Sequence, residues 1–464
     1  MKRYSTRPAG GPRVTFWGAA RSVTGSMHLV EAAGRRILLD CGLVRGRRDE
    51  VRRQTIRFPF SPAEIDAVVL SHAHMDHCGN LPNLVRQGFD GPIYCTPATR
   101  DLTAVMLGDS ARVHEDEAVT AGVVHGPGDA SSPLYTRSDA QRVTSQCVVV
   151  PYETPRDLAP DVRLRFVDAG HILGSAMAEL TVARPSGVRR ILFTGDLGRR
   201  GLPFLAEPSV VPSADLLICE STYGGRVHEN MDQMAARMSD VVRRTLARGG
   251  KVLVPAFSLG RTQIVVHYLR RWMRDGVLPP APLYVDSPLA ADISEVYDRY
   301  GECFAADDGP GMPPVTYVRT ADDSKELSRS PEPCIVVASG GMCDGGRITT
   351  YLRQYIDDPR ATIVLVSYQA PHSLGQRLLE RGPTVRFHGR VWNKWAEVVE
   401  MKGFSGHADR NDFLALLGSS VGQTRQVRLV HGEPDQAAAL AKSLREHGFK
   451  DVEAPHLEDT AEVA

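Results

Sequence analysis

From Ser71 to Cys78 the chain reads Ser-His-Ala-His-Met-Asp-His-Cys, which puts three imidazoles and a carboxylate between His72 and His77. Imidazole nitrogen and carboxylate oxygen together suit zinc and related divalent cations. His72 and His74, two apart, can face one side, while the adjacent Asp76 and His77 are better placed for a second cation. The bland alternative is a histidine-rich surface loop. It fits poorly with a cluster that directly follows residues 66–70, an apolar run that reads as a buried strand. Two further places repeat the pattern of a ligand type beside glycine at a strand end. His171 lies in Asp-Ala-Gly-His-Ile-Leu-Gly after strand 162–167, and Asp196 lies in Thr-Gly-Asp-Leu-Gly after strand 190–193. Glycine allows the sharp turn each needs. Either residue alone passes for a loop residue; together with His72 and His74 they read as ligands. A carboxylate has two oxygens, so Asp196 is the natural group to be shared by two cations. Asp40 ends strand 36–40 before Cys41-Gly42 and, on its own, passes for a turn former.

The elements that must position these groups follow from the rest of the chain. Its 464 residues exceed what one hydrophobic core usually fills, so two domains are expected. The 55 Lys and Arg balance the 55 Asp and Glu. A polyanion would therefore have to be gripped by a local basic groove, because the net field does not attract it. The cysteines (Cys41, Cys78, Cys95, Cys147, Cys219, Cys303, Cys334, Cys343) form no Cys-x-x-Cys pair and no framework spacing. That excludes a disulfide scaffold and fits a reducing compartment. Residues 1–13 are basic but lack the apolar segment of a signal peptide, and no run is long enough to span a bilayer, so a soluble, cytoplasmic protein without a membrane partner is expected.

In chain order, strands are predicted at 14–17, 27–31 and 36–40, then helix 81–87, strand 93–95, helix 99–118, a Gly/Pro/Ser loop at 122–135 and helix 138–145. Strands 162–167, 176–182 and 190–193 follow, and strand 214–219 runs into Glu220-Ser-Thr-Tyr-Gly. From there helices alternate with strands: helix 232–247, strand 251–255, helix 259–274, strand 283–285, helix 292–300, strand 334–338, helix 347–356, strand 362–366 and helix 374–380. Such alternation implies a mostly parallel sheet covered by helices on both faces. Strand-like patterning resumes at 392–401 and leads to Gly-Phe-Ser-Gly-His407-Ala-Asp. Strand 426–430 then ends in His431-Gly-Glu, followed by helix 434–447.

The ordered set His72-x-His74-x-Asp76-His77, His171 and Asp196, with Asp40 upstream, resembles the metallo-β-lactamase fold, an αββα sandwich with a dinuclear site along one edge. With Glu220 in Cys-Glu-Ser-Thr-Tyr-Gly as motif A, His407 in Phe-Ser-Gly-His-Ala-Asp as motif B and His431 in Val-His-Gly-Glu as motif C, the whole chain is similar to the β-CASP family of metallo-β-lactamase-fold nucleases. Histidine at motif C resembles the RNA-processing members, such as the cleavage and polyadenylation endonuclease subunit and bacterial relatives. The resemblance implies a lactamase-like domain at residues 1–208 and 391–464 interrupted by a β-CASP domain at 209–390. It also implies two zinc ions, one held by His72, His74, His171 and Asp196, the other by Asp76, His77, Asp196 and His431. Such a pair would lower the pKa of a shared water from 15.7 toward about 7. His407 would be the general acid, oriented by Glu220, with Asp40 accepting a ligand imidazole N–H or the bridging water.

The expected function is a zinc-dependent endoribonuclease on single-stranded RNA reaching an inter-domain cleft. Alternatives are a DNA nuclease of the same family, a small-molecule hydrolase of the lactamase or thioesterase type, and a non-catalytic RNA-binding scaffold. Expected phosphate contacts are Ser258 and Arg261 at one helix start and Ser339, Gly340, Gly341 and Arg347 at another, where backbone N–H groups bind anions. A homodimer is an admitted assembly. The chain shows neither the RNA-binding N-terminal domain of archaeal relatives nor the long C-terminal extension of larger bacterial exonucleases, so processive exonuclease action is not part of the expectation.

Overall fold

A computed structural model describes residues 11–44, 55–120, 133–202, 205–301 and 312–463. Most of the expected loop 122–135, and Cys303, lie outside the described residues. The chain divides into two compact units, Met1–Val227 with His407–Ala464, and His228–Gly406.

The first unit holds two seven-stranded sheets. One runs in the order Thr460–Glu462, Arg13–Phe16, His28–Ala32, Arg35–Leu39, Ala67–Val69, Ile93–Cys95, Cys147–Val149. The other runs Asp451–Glu453, Gln426–Val430, Leu216–Glu220, Arg189–Phe193, Ala176–Val182, Val162–Asp168, Arg156–Ala159. Alternation along each strand decides what each face meets. Ile37, Leu39, Ala67 and Val69 of the first sheet pack with Ile191, Phe193, Leu216 and Ile218 of the second in one central core. Leu38 and Val68 point the other way, onto Leu81, Leu84, Leu107 and Val143 of the helices Leu81–Arg86, Pro97–Thr120 and Arg137–Gln146. Leu192, Leu217 and Cys219 likewise meet Phe413, Leu416, Leu440 and Leu444 of the helices Arg410–Leu417 and Pro434–Glu446. Three apolar layers separate four layers of backbone, an αββα sandwich. Each fully buried Leu, Ile or Phe contributes roughly 1.5–3 kcal/mol of transfer free energy to that order.

The second unit is built on a six-stranded sheet, Thr316–Val318, Leu283–Asp286, Ile335–Ser339, Val252–Ala256, Thr362–Leu365, Glu397–Glu400, in which every pairing is parallel. The expected alternation of strand and helix is therefore present. The insertion's limits differ from 209 and 390. Leu216–Glu220 pairs with Arg189–Phe193 and Gln426–Val430 and so belongs to the sandwich, whereas Glu397–Glu400 pairs with Thr362–Leu365 inside the insertion. A short apolar strand has the same pattern in either sheet; only its partners assign it. Among the described residues no helix is long and apolar enough to cross a membrane.

One strand end carries a stability cost. Burial raises the Asp168 carboxyl to about 6, although the Gly170 N–H donates to its Oδ1 at 2.8 Å. A folded-state pKa above the unfolded one means that folding retains a proton between about pH 4 and pH 6, so the stability held below that window is lost as pH rises through it. Asp168→Asn keeps an acceptor for Gly170 without the buried charge. Its melting temperature is expected to exceed that of the unaltered chain at pH 7 and to converge with it at pH 4.

Candidate dinuclear metal centre

The expected ligands in this unit, together with Asp40 and Glu220, sit at the C-terminal end of a strand or just beyond it. Asp40 follows Arg35–Leu39, His72, His74 and His77 follow Ala67–Val69, His171 follows Val162–Asp168, Asp196 follows Arg189–Phe193, Glu220 ends Leu216–Glu220 and His431 follows Gln426–Val430. Arg35–Leu39 is parallel to Ala67–Val69, and Arg189–Phe193 is parallel to Leu216–Glu220 and Gln426–Val430. Parallel pairing delivers their ends to one rim. The turns there are tight enough to put two non-glycine residues in the left-handed region, Asp40 at φ 58° and His431 at φ 46°, a conformation that costs on the order of 1–3 kcal/mol and collects at functional sites. Gly42 must be glycine, because a Cβ there would meet the Asp76 carbonyl oxygen at 1.7 Å.

The side chains gather into two groups. His72 Nε2 lies 3.0 Å from His74 Nδ1, and His171 Nε2 lies 3.3 Å from the same atom. His77 Nε2 lies 3.2 Å from His431 Nε2, and Asp76 Oδ2 lies 3.7 Å from that nitrogen. Asp196 divides its oxygens between them: Oδ2 is 3.5 Å from His72 and 3.6 Å from His171, while Oδ1 is 3.3 Å from His77 and 3.2 Å from His431. Asp196 is buried, and its Oδ1 has no hydrogen-bond partner among the described residues. Within each of the sets His72–His74–His171–Asp196 and Asp76–His77–His431, one ligand atom per residue lies within 4.8 Å of every other.

The electrostatics fit cations at both places. Burial, with His77 nearby, holds His72 well below the usual imidazole range; burial also takes His74 down to about 4, against the pull of Asp76 and Asp196. Both rings thus keep a lone pair for a metal. Burial works against a charge on His77, yet the carboxylates of Asp196 and Asp40 outweigh it and raise its proton affinity. A site that holds a proton between carboxylates favours a divalent cation for the same reason. Imidazole nitrogens 3.0–3.3 Å apart on either side of a shared carboxylate, one of whose oxygens has no hydrogen-bond partner among the described residues, suit such an ion.

Asp40 stands behind this cluster. Its Oδ2 is 2.6 Å from His77 Nδ1 and accepts from the Ser71 and Ser26 hydroxyls at 2.9 and 3.3 Å; its Oδ1 accepts from the Ser71 N–H at 2.8 Å. That contact places the proton of His77 on Nδ1 and turns Nε2 to the centre. Asp40→Asn replaces the charged acceptor with an amide. It is expected to weaken metal retention about 10–100-fold, measured by elemental analysis after dialysis against graded chelator.

His407 and Glu220 lie beside the cluster. The fully buried Glu220 accepts the Leu197 N–H on Oε1 at 2.7 Å and the Thr222 N–H on Oε2 at 3.1 Å. Its Oε1 is also 3.2 Å from His407 Nδ1, which in turn stands 3.8 Å from Asp196 Oδ2. The His407 ring is 4.4 Å from that of His171, centre to centre, and its side chain is 19% exposed. The contact with Glu220 is made through Nδ1.

The expected phosphate contacts all belong to the second unit, at C-terminal ends of its parallel strands. Ser258 Oγ is 3.1 Å from Ser287 Oγ, and Gly341 offers its carbonyl to Gln369 at 2.9 Å. Ser339 Oγ accepts the Arg347 N–H at 3.2 Å, and Gly340 has φ 110° beside the Gly345 carbonyl. The two arginines also bond the loops around them. Arg261 bonds the Val366 carbonyl, and Arg347 bonds the Thr320 and Arg319 carbonyls at 2.9 and 3.3 Å while facing Asp286. Carbonyls left over at loop bends supply the acceptors that a sequence does not reveal. Sequence reasoning also passed over Ser26, Ser71 and Thr222, whose hydroxyl is 3.2 Å from His431 Nδ1; of the three only Ser71, next to His72, stands beside a ligand in the sequence.

An αββα sandwich with buried histidines and carboxylates gathered on one rim defines a metal-dependent hydrolase of the metallo-β-lactamase type. The family model of the Metallo-beta-lactamase superfamily matches residues 21–237, that of the Beta-Casp domain 262–378, and that of the Zn-dependent metallo-hydrolase RNA specificity domain 395–455. The chain is 37% identical to Ribonuclease TTHA0252 of Thermus thermophilus, over 94% of this chain and 96% of that protein. It is 34% identical to the Transcription termination factor FttA of Pyrococcus abyssi, over 97% of this chain and 71% of that protein. A crystal structure of a protein of unknown function from Enterococcus faecalis V583 shares the fold, with a TM-score of 0.55 and 12% identity, covering 98% of this chain and all of that one. The chain belongs to the β-CASP family of metallo-β-lactamase-fold proteins.

Proposed function

We propose that this chain is a zinc-dependent ribonuclease that hydrolyses phosphodiester bonds of single-stranded RNA, chiefly as an endonuclease, in the cytoplasm. The observation that carries the reading is the division of Asp196 between two groups of imidazoles, with a His–Glu pair beside them. In support, the segment that contributes His407 and His431 falls within the match to an RNA specificity domain, and a relative matched along nearly all its length is named a ribonuclease.

His72, His74 and His171 with Asp196 Oδ2 would hold one zinc, and Asp76, His77 and His431 with Asp196 Oδ1 the other. When bound, the cations supply Lewis acidity toward the phosphoryl oxygens and a nucleophilic form of water at neutral pH. Asp40 keeps His77 in the tautomer that presents Nε2. His407 delivers a proton from Nε2 to the departing ribose oxygen, a poor leaving group without one, and Glu220 holds the ring through Nδ1. Ser258, Ser339 and the backbone of Gly340 and Gly341 are proposed to bind the phosphate chain, while Arg261 and Arg347 brace the loops that carry them.

The test is incubation of purified protein with end-labelled RNA and DNA of one sequence, with and without chelator. Internal RNA fragments are expected from the earliest times, lost with chelator and restored by added zinc. Equal cutting of DNA would overturn the choice of substrate. RNA cleavage that persists in protein shown by elemental analysis to be metal-free would overturn the metal reading.

A further inference from the structure

Formal charge sums to zero over the chain, so a polyanion needs a local basic surface, and one stretch of the second unit has the composition for it. Residues 381–396 hold Arg381, Arg386, Arg390 and Lys394 and no Asp or Glu. Other arginines of that unit stand against carboxylates: Arg237 faces Glu229, Arg319 faces Asp292 and Arg360 faces Asp358, at 2.9, 2.5 and 2.9 Å. Arg381, Arg386 and Arg390 face none among the described residues. Lys394 donates to the Leu378 and Glu380 carbonyls, which bind the ammonium without cancelling its charge. Glu397, the next acid along the chain, is taken up by Arg244 and Arg248.

The stretch folds as the hairpin of Thr384–Phe387 and Arg390–Asn393, turned by His388 and Gly389, both in the left-handed region at φ 47° and 74°. Its inner face is filled. Val385 and Phe387 join the core of the unit, Trp392 stacks on Phe387 with ring centres 5.2 Å apart, and the Arg390 guanidinium lies 4.8 Å over Trp392. Alternation sends Thr384, Arg386, Val391 and Asn393 to the other face, where all four are exposed and Arg386 pairs with Val391. Val391 is 57% exposed, and Trp395, two residues past Asn393, is 59% exposed. An indole left in water on the same short segment as guanidinium groups without counter-charges suits single-stranded nucleic acid, whose bases stack on rings while its phosphates meet cations. A duplex keeps its bases stacked inside and offers such a ring little.

We propose that the outward face of this hairpin, together with Trp395, is a docking surface for single-stranded RNA, additional to the metal ligands and phosphate contacts named above. Trp395 stacks a base, and Arg386 and Arg381 meet the phosphates beside it. The inference rests on RNA as the substrate of the proposed ribonuclease.

The experiment follows stopped-flow anisotropy of a labelled 20-nucleotide RNA, single-stranded or in duplex form, mixed with the zinc-loaded chain, so that binding is read before cleavage. Trp395→Ala is expected to weaken single-strand binding about tenfold and duplex binding little, and Trp395→Phe is expected to retain most of the affinity. Arg386→Ala is expected to weaken binding and to lower the slope of log affinity against log salt by about 0.7, one phosphate contact on a single strand. Turnover of bis(p-nitrophenyl) phosphate, too small to reach from a metal centre to a separate surface, is expected to stay within about twofold in all three variants. Unchanged single-strand binding by Trp395→Ala and Arg386→Ala would overturn the docking surface, as would equal losses on single strand and duplex in Trp395→Ala. If those variants bind RNA normally but sediment as a smaller species than the unaltered chain, the face belongs to a second copy instead. RNA bound through the hairpin by a chain that cuts none would leave this inference standing and overturn the ribonuclease reading.

Discussion

Asp196→Asn is expected to lower RNA hydrolysis by about 10³-fold or more and to leave the purified chain with fewer than two metal ions. The substitution keeps the size of the side chain but removes its charge and one oxygen. At present Oδ1 and Oδ2 are each 3.2–3.6 Å from two imidazole nitrogens on either side. An amide can face only one group with its oxygen; the other meets N–H₂, which repels a cation. Lewis-acid stabilisation by metals is worth several kcal/mol, and about 4 kcal/mol corresponds to roughly 10³ in rate. Elemental analysis and single-turnover cleavage of end-labelled RNA read the two effects separately. Two ions retained at full occupancy, with activity near normal, would remove Asp196 as the shared ligand.

His407→Ala is expected to cost about 10²–10⁴-fold on RNA, the usual worth of a positioned proton donor, without loss of metal. The separation follows from geometry. His407 is tied to Glu220 at 3.2 Å, whereas its nearest approach to the shared carboxylate is 3.8 Å. Glu220 itself is anchored by the Leu197 and Thr222 N–H groups, so the rim keeps its shape when the imidazole is cut away. The prediction fails if the variant loses its metal, because the defect would then lie in the ligand shell.

Much of the candidate site was legible because its chemistry is dense in the sequence. Three imidazoles and an aspartate within His72–His77 announce themselves, and His171, Asp196 and His431 each follow an apolar run that could only be a strand. The sandwich itself was implied by the resemblance, and the structure shows how residues 191–193 serve it: Ile191 and Phe193 join the core between the sheets and Leu192 the core beneath the helices. Partnership was not legible. Leu216–Glu220 and Glu397–Glu400 each fell on the wrong side of an expected boundary, because period and composition say nothing of which strand lies next door. Polar pieces hid for another reason. The helix Ala321–Arg329 buries only Ser324, Leu327 and Ser328 and starts from a Thr320 cap. The hairpin of Thr384–Phe387 and Arg390–Asn393 stands apart from the three large sheets. The left-handed backbone of Asp40 and His431 left no trace at all, because neither is a glycine.

The path of the polypeptide through the sandwich carries a consequence for biosynthesis. Leu216–Glu220 has a free flank until Gln426–Val430 arrives to pair with it, and the histidine that completes the second group comes at the end of that late strand. Translation runs from the amino end, at about 5–20 residues per second. A growing chain therefore carries an unfinished cluster until His431, the last of its ligands in chain order, has been added.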